Sequence, residues 1–139
     1  MKIKYIILII PIILFSCKSQ NKIPNIDFYN ATWELEYISG PRIAFKALYP
    51  NKKPIINFNS ENNTVVGNSS CNGYSAPFNL NGNALSFGEP GPSTLMYCGE
   101  GEKVFLNMMK KINAYSFDEA GKLQLLMNEV PVMRFNKAN

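Results

Sequence analysis

The chain has 139 residues, 46% of them hydrophobic and 17% charged, with a formal net charge of +4. That is enough for one domain with its own core, and too apolar a composition for a disordered chain. Histidine is absent from the sequence, which removes the usual general base, the usual transition-metal ligand and every Ser-His or Cys-His nucleophile pair.

The first 16 residues begin with Lys2 and Lys4 and continue as an apolar stretch over residues 6–15. A basic start followed by a short apolar run is a secretory leader, because a membrane span needs about 20 apolar residues. Leu14-Phe15-Ser16-Cys17 then resembles a bacterial lipobox, with Leu at −3, a small residue at −1 and a thiol to accept diacylglycerol. Phe15 departs from the small residue usual at −2. The reading is a signal peptide over 1–16, lipidation and palmitate incorporation at Cys17, and a membrane anchor made by several acyl chains. Lys18 at +2, in place of Asp, predicts sorting to the outer membrane of a Gram-negative envelope. The polar, aperiodic residues 18–30 read with Cys17 as a tether. Lys2 and Lys4 leave with the leader, so two of the four net charges go and the mature chain carries +2. Its cations never run beyond a pair, which argues against nucleic acid as a partner.

Residues 31–38 alternate apolar and polar, with Trp33, Leu35 and Tyr37 on one face and Glu34 and Glu36 on the other, the pattern of a half-buried strand. Gly40, Pro41, Pro50 and Pro54 mark residues 39–54 as a long loop. Residues 55–58 and 64–67 form a hairpin through the polar run 59–63. Residues 74–80 and 84–87 flank Asn81-Gly82-Asn83, a hairpin signal because Asn and Gly tolerate positive φ. Pro90, Gly91 and Pro92 end the pairing. Val104, Phe105, Met108, Met109 and Ile112 then follow a helical period, with Glu100 and Glu102 at the start and Lys110 and Lys111 at the end, as the helix dipole favours. Three more strands follow over 113–117, 123–127 and 132–135.

Five strands, one helix and three strands without βαβ alternation predict an α+β, mostly β domain over 31–137 with an antiparallel sheet. Closure into a barrel, with the helix covering one opening, removes the exposed edges. Cys71 and Cys98 remain once Cys17 is lipidated. An even pair in an oxidising compartment predicts a disulfide across 27 positions; two buried free thiols are the alternative.

Other residues invite chemistry and have plainer readings. Ser93-Thr94 lacks a base and reads as a turn or cap. Met96, Met108, Met109, Cys71 and Cys98 form a soft-ligand set for Cu(I), yet the helical spacing of Met108 and Met109 is that of core. Glu34 and Glu36 read as a solvated pair and not as acid and base. Asn72 and Tyr74 are the candidates for a recognition surface; the plainer reading is a turn with a packed ring. No catalytic residue, cofactor or metal ligand is expected.

In order, Trp33-Glu34-Leu35, Pro54-Ile55-Ile56-Asn57-Phe58, Gly67 to Cys71-Asn72-Gly73-Tyr74, Leu85-Ser86-Phe87, Ser93-Thr94-Leu95-Met96-Tyr97-Cys98, Glu102 with Phe105-Leu106, and Leu123-Gln124-Leu125 resemble the META domain family of HslJ-like, heat-inducible proteins. Ser70 departs from the Gly that often precedes Cys-Asn there, and Ala76-Pro77-Phe78 from a frequent Gly-aromatic pair. The resemblance implies a small, partly open antiparallel barrel with one helix inserted between the strands. It also implies a non-enzymatic role in heat or envelope stress and antibiotic tolerance. The expectation is a monomeric, membrane-anchored interaction module with an unidentified envelope protein as partner. The alternative is a carrier holding lipid or another apolar ligand in the barrel.

Overall fold

The computed structural model describes residues 28–91 and 96–138; the leader, Cys17 and Ser93-Thr94 lie outside them. Eight strands and two helices follow one another as β1 Thr32–Ile38, α1 Phe45–Leu48, β2 Ile55–Asn59, β3 Thr64–Asn68, β4 Gly73–Asn81, β5 Ala84–Phe87, α2 Glu100–Met109, β6 Ala114–Phe117, β7 Leu123–Met127 and β8 Val130–Lys137. Each strand pairs antiparallel with the next, and β8 returns to β1, so the sheet closes into a barrel without free edges. The α+β class and the order of strands about one main helix are those of the sequence reading. The 39–54 loop holds in addition the single turn α1.

The barrel is closed where the resemblance implies partial opening, but its seam is narrow. β5 and β6, the two strands separated by α2, share one residue pair, Ala84↔Ala114, framed by Leu85 N–H to Asn113 O (3.2 Å) and Tyr115 N–H to Asn83 O (3.0 Å). Strands joined by a long connection lack the short turn that sets register for a hairpin.

Inward-facing residues of a small barrel alternate with outward ones and fill the lumen. Trp33, Leu35, Ile56, Val65, Phe78, Leu85, Leu123, Leu125, Met133 and Phe135 are buried and form one core with Phe105 and Met109 of α2. Tyr37 breaks the alternation expected for β1. A bulge against β8 falls between Leu35 and Tyr37, which turns Tyr37 outward, 45% exposed, and brings Ile38 inside. One extra residue in a strand shifts the side-chain phase by one face. Outside, the Arg134 guanidinium lies 5.7 Å from the Tyr37 ring centre.

Up-and-down connectivity puts alternate connections at opposite ends. The entry to β1, the turns 60–63, 82–83 and 118–122, and the C-terminus share the near end. The 39–54 loop, the turn 69–72, the chain into α2 and the turn 128–129 share the far end. At the near end Phe28 is buried, although it falls in the stretch 17–30 read as tether. Its ring stacks on Phe58 (centroids 4.1 Å) and Tyr115 (5.0 Å), and its carbonyl accepts from Trp33 Nε1–H at 3.2 Å. Phe28 thus packs as part of the domain's core. The aromatic pair Phe28-Tyr29 after a mostly polar run carries no periodicity, so sequence pattern misses it.

At the far end α2 enters beside α1. A Cβ on Gly101 would stand 2.4 Å from Leu48 O and 2.7 Å from the Tyr49 ring, so only glycine permits this approach. The Tyr49 hydroxyl donates to Gly101 O at 3.0 Å, and burial pushes its pKa up. Phe105 and Met109 are buried, as is Ile112 just after the helix, while Val104, Leu106 and Met108 pack partly buried against the same core.

Candidate functional site

The most elaborate polar structure lies at the far end, around the turn between β3 and β4. It is built from four buried polar residues, Asn68, Ser69, Ser70 and Asn72. Burying such groups costs free energy unless their donors and acceptors are met. Among the described residues no buried side-chain polar atom lacks a partner.

Asn72 is the hub, 1% exposed. Its Nδ2 donates to both oxygens of Glu102, at 3.1 and 2.9 Å, and to Met96 O at 2.7 Å. Its Oδ1 accepts from Met96 N–H at 3.0 Å. One amide thus clamps both backbone groups of Met96, as a neighbouring strand would. Ser69 Oγ donates to Glu102 at 2.8 Å, and Ser69 N–H to Asn72 O at 2.9 Å, closing the turn on itself. Glu102, in the first turn of α2, therefore ties the helix to the turn. In the sequence Glu102 stands out as a charge at the helix start and as part of the family pattern, neither of which points to this contact.

Cys71 and Cys98 are joined by a disulfide with 5.6 Å between their Cα atoms. The bond fastens the chain entering α2 to the same turn, next to the Asn72 clamp. With both thiols spent, the soft-ligand set read from the sequence loses its cysteines. Met109 is core, Met108 is half-buried and Met96 points outward, 65% exposed. Among the described residues no three His, Cys, Asp or Glu side chains converge as a metal site.

Tyr74 follows in β4 directly opposite Gly67, where a Cβ would stand 1.9 Å from Ile55 O and 3.3 Å from the Tyr74 ring. The ring packs on Phe105 of α2 (centroids 5.6 Å), and burial raises the phenol's pKa. Asn72 and Tyr74, the candidate recognition surface, are therefore interior residues. The amide faces Met96 and Glu102, and the ring fills the gap above a glycine. What they present to solvent is indirect. Asn72 holds the backbone of Met96, and the side chains of Met96 and of Tyr97 next to it are 65% and 84% exposed.

Ser70 has φ +154°, a region that L-residues rarely adopt, and its Oγ donates to Lys52 O at 3.3 Å. This is the position where the family pattern often has Gly, and the backbone gives the reason.

Glu34 and Glu36 do not act on each other. Glu34 pairs with Lys53 at 2.7 Å. Glu36 pairs with Lys122 at 2.8 Å and with Arg134. Burial alone would raise the Glu36 pKa, but hydrogen bonds from Lys122, Arg134 and Asn136 outweigh it and hold the carboxyl at about 2. Such a carboxylate is a fixed charge on the outer wall and not a proton carrier.

The META domain model matches residues 26–139. A protein from Burkholderia xenovorans solved by NMR superposes with a TM-score of 0.61 at 18% identity, over 81% of this chain and 84% of that one. At that identity the likeness is one of fold. No curated protein sequence matches the chain.

Proposed function

The chain belongs to the META domain family, and from that premise we propose that it is a non-enzymatic interaction protein, held in the cell envelope by a lipid on Cys17 and serving under heat or antibiotic stress. The observation that carries the binding role is the filled interior. Phe28 occupies the near opening, Phe105 and Met109 reach in from the far side, and the space between is taken by Trp33, Phe58, Phe78 and Phe135. A carrier would need that space for its ligand, which would have to displace α2 and its buried apolar surface at a cost of several kcal/mol, at about 25 cal/mol per Å². The outer surface is left to do the work.

Two measurements on the full chain test this reading. Labelled palmitate should enter the wild type and not Cys17→Ala; label retained in the variant removes the anchor. Native mass spectrometry of protein released from detergent should give the lipoprotein mass with no further ligand. A stoichiometric second lipid, beyond the acyl groups on Cys17, would replace the interaction module with the carrier.

A further inference from the structure

We propose that the far end of the barrel is a docking surface for an acidic polypeptide that brings an apolar side chain with it. The inference rests on the interaction-module reading above and names its surface and partner.

Three observations converge. The first is charge. The 39–54 connection carries Arg42, Lys46, Lys52 and Lys53 and no carboxylate. Lys53 is paired with Glu34, while Arg42, Lys46 and Lys52 have no ion pair among the described residues. Elsewhere at this end Glu100 is engaged by Lys103, Glu89 by Lys110, and Glu102 by Ser69 and Asn72, which leaves Glu129 in the turn 128–129 as the exposed carboxylate with no ion pair among the described residues. The near end is the reverse, with Glu61, Asp118 and Glu119 against Lys137 and Lys122, the latter paired with Glu36. The domain is thus polarised from end to end, and its cationic end complements an acidic partner.

The second is exposed apolar surface at the same end. Ile43 is 48% exposed, and Met96 and Tyr97 stand out further still. Tyr97 is held between the Asn72 clamp and the disulfide at Cys98, so its backbone is already ordered before any partner arrives. An aromatic side chain on a preordered loop loses little entropy on binding, which is how contact surfaces gain affinity. The basic loop adjoins it: Ser70 holds Lys52 O, and Ser70 is next to Cys71.

The third is orientation. Residue 28 enters at the near end, eleven residues after Cys17. Those eleven residues span at most roughly 40 Å, and the far end lies about 20 Å beyond the entry of β1, given about 3.3 Å per strand residue. A lipid on Cys17 keeps the near end toward its own bilayer, and the far end reaches that bilayer only if the tether is stretched around the barrel. A polypeptide in the aqueous space meets the cationic end with no such cost.

The test uses the full chain, 15N-labelled, in neutral detergent micelles, titrated with a random Glu-Tyr copolymer. A Lys-Tyr copolymer and vesicles with and without phosphatidylglycerol are the comparisons. The acidic copolymer should shift the amides of 42–53 and 96–98. The triple variant Arg42→Gln, Lys46→Gln, Lys52→Gln should bind it about tenfold more weakly, and Tyr97→Ser less so but measurably. All four positions are solvent-facing, so the fold survives the changes. Absence of binding, equal binding by the triple variant, or shifts at 60–63 and 118–122 would overturn the proposal. Phosphatidylglycerol vesicles binding more tightly than the copolymer, in a manner lost in the triple variant, would overturn it in favour of a membrane. These outcomes are separate from a second bound lipid in the mass spectrum, which bears on the interaction-module reading itself.

Discussion

The two ends of this barrel are closed by different physics. At the near end one aromatic ring, Phe28, drops onto Phe58 and Tyr115, and Trp33 donates a hydrogen bond to its carbonyl. At the far end the ring of Phe105 does the filling, but a buried amide, a carboxylate, two serines and a disulfide fix the chain around it. Apolar packing is strong and tolerant of small shifts, whereas a satisfied polar network admits one arrangement. The near end needs only to be shut. The far end is held in a defined shape, and it is the end that presents Met96 and Tyr97.

The largest effect should come from the interior that both ends share. Trp33→Ala removes a fully buried ring and the bond to Phe28, and should cost about 3–5 kcal/mol by chemical denaturation. If the near end is closed by packing alone, amide shifts in this variant will spread through 28–31, 58 and 115–117. A melting temperature equal to that of the parent would contradict the central position of Trp33.

Next comes the disulfide. Replacing Cys71 and Cys98 together by Ala opens a 27-residue connection and should cost about 3–4 kcal/mol in the loop-entropy model. The change should be felt around 69–72 and 96–102 and leave the near end as it was. Spectral changes reaching Phe28 would erase the distinction between the ends.

Asn72→Ala takes away the clamp but not the covalent tie. It leaves the Met96 backbone and Glu102 without their partner, at a cost of about 2–3 kcal/mol. Hydrogen exchange at Met96 should accelerate even with the disulfide intact. Unchanged exchange would mean that the disulfide alone holds this segment.

The smallest effect has the opposite sign. Ser70→Gly relieves a backbone at φ +154° and forfeits one hydrogen bond of 3.3 Å, for a net gain of up to about 1 kcal/mol. A clear loss of stability would show that the contact with Lys52 matters more than the strain.

Much of this is legible in the sequence alone. Alternation over 31–38, the Asn81-Gly82-Asn83 turn and the spacing of Phe105, Met109 and Ile112 are local signals, and strands, turn and helix follow them within a residue or two. Gly67 opposite Tyr74 and Ser70 in a glycine's place also make sense once the family pattern is set beside the backbone. The site was less legible. Asn72 and Tyr74 stand out by their place in the Cys-Asn-Gly-Tyr motif, but a polar residue in a turn signal gives no indication of whether its amide faces water or the interior.

What the sequence by itself determined is the order and type of the elements, since hydrophobic period and turn chemistry act over a few residues at a time. Only the tertiary structure decided that Tyr37 faces out, that Phe28 belongs to the core, and that Glu102 meets Ser69 and Asn72. Each depends on a long-range event: a register shift between β1 and β8, the segment before β1 packing against β2 and β6, a helix docking onto a turn some 30 residues earlier in the chain. Whether a side chain is buried depends on what packs over it, and for these residues the covering atoms come from distant parts of the chain.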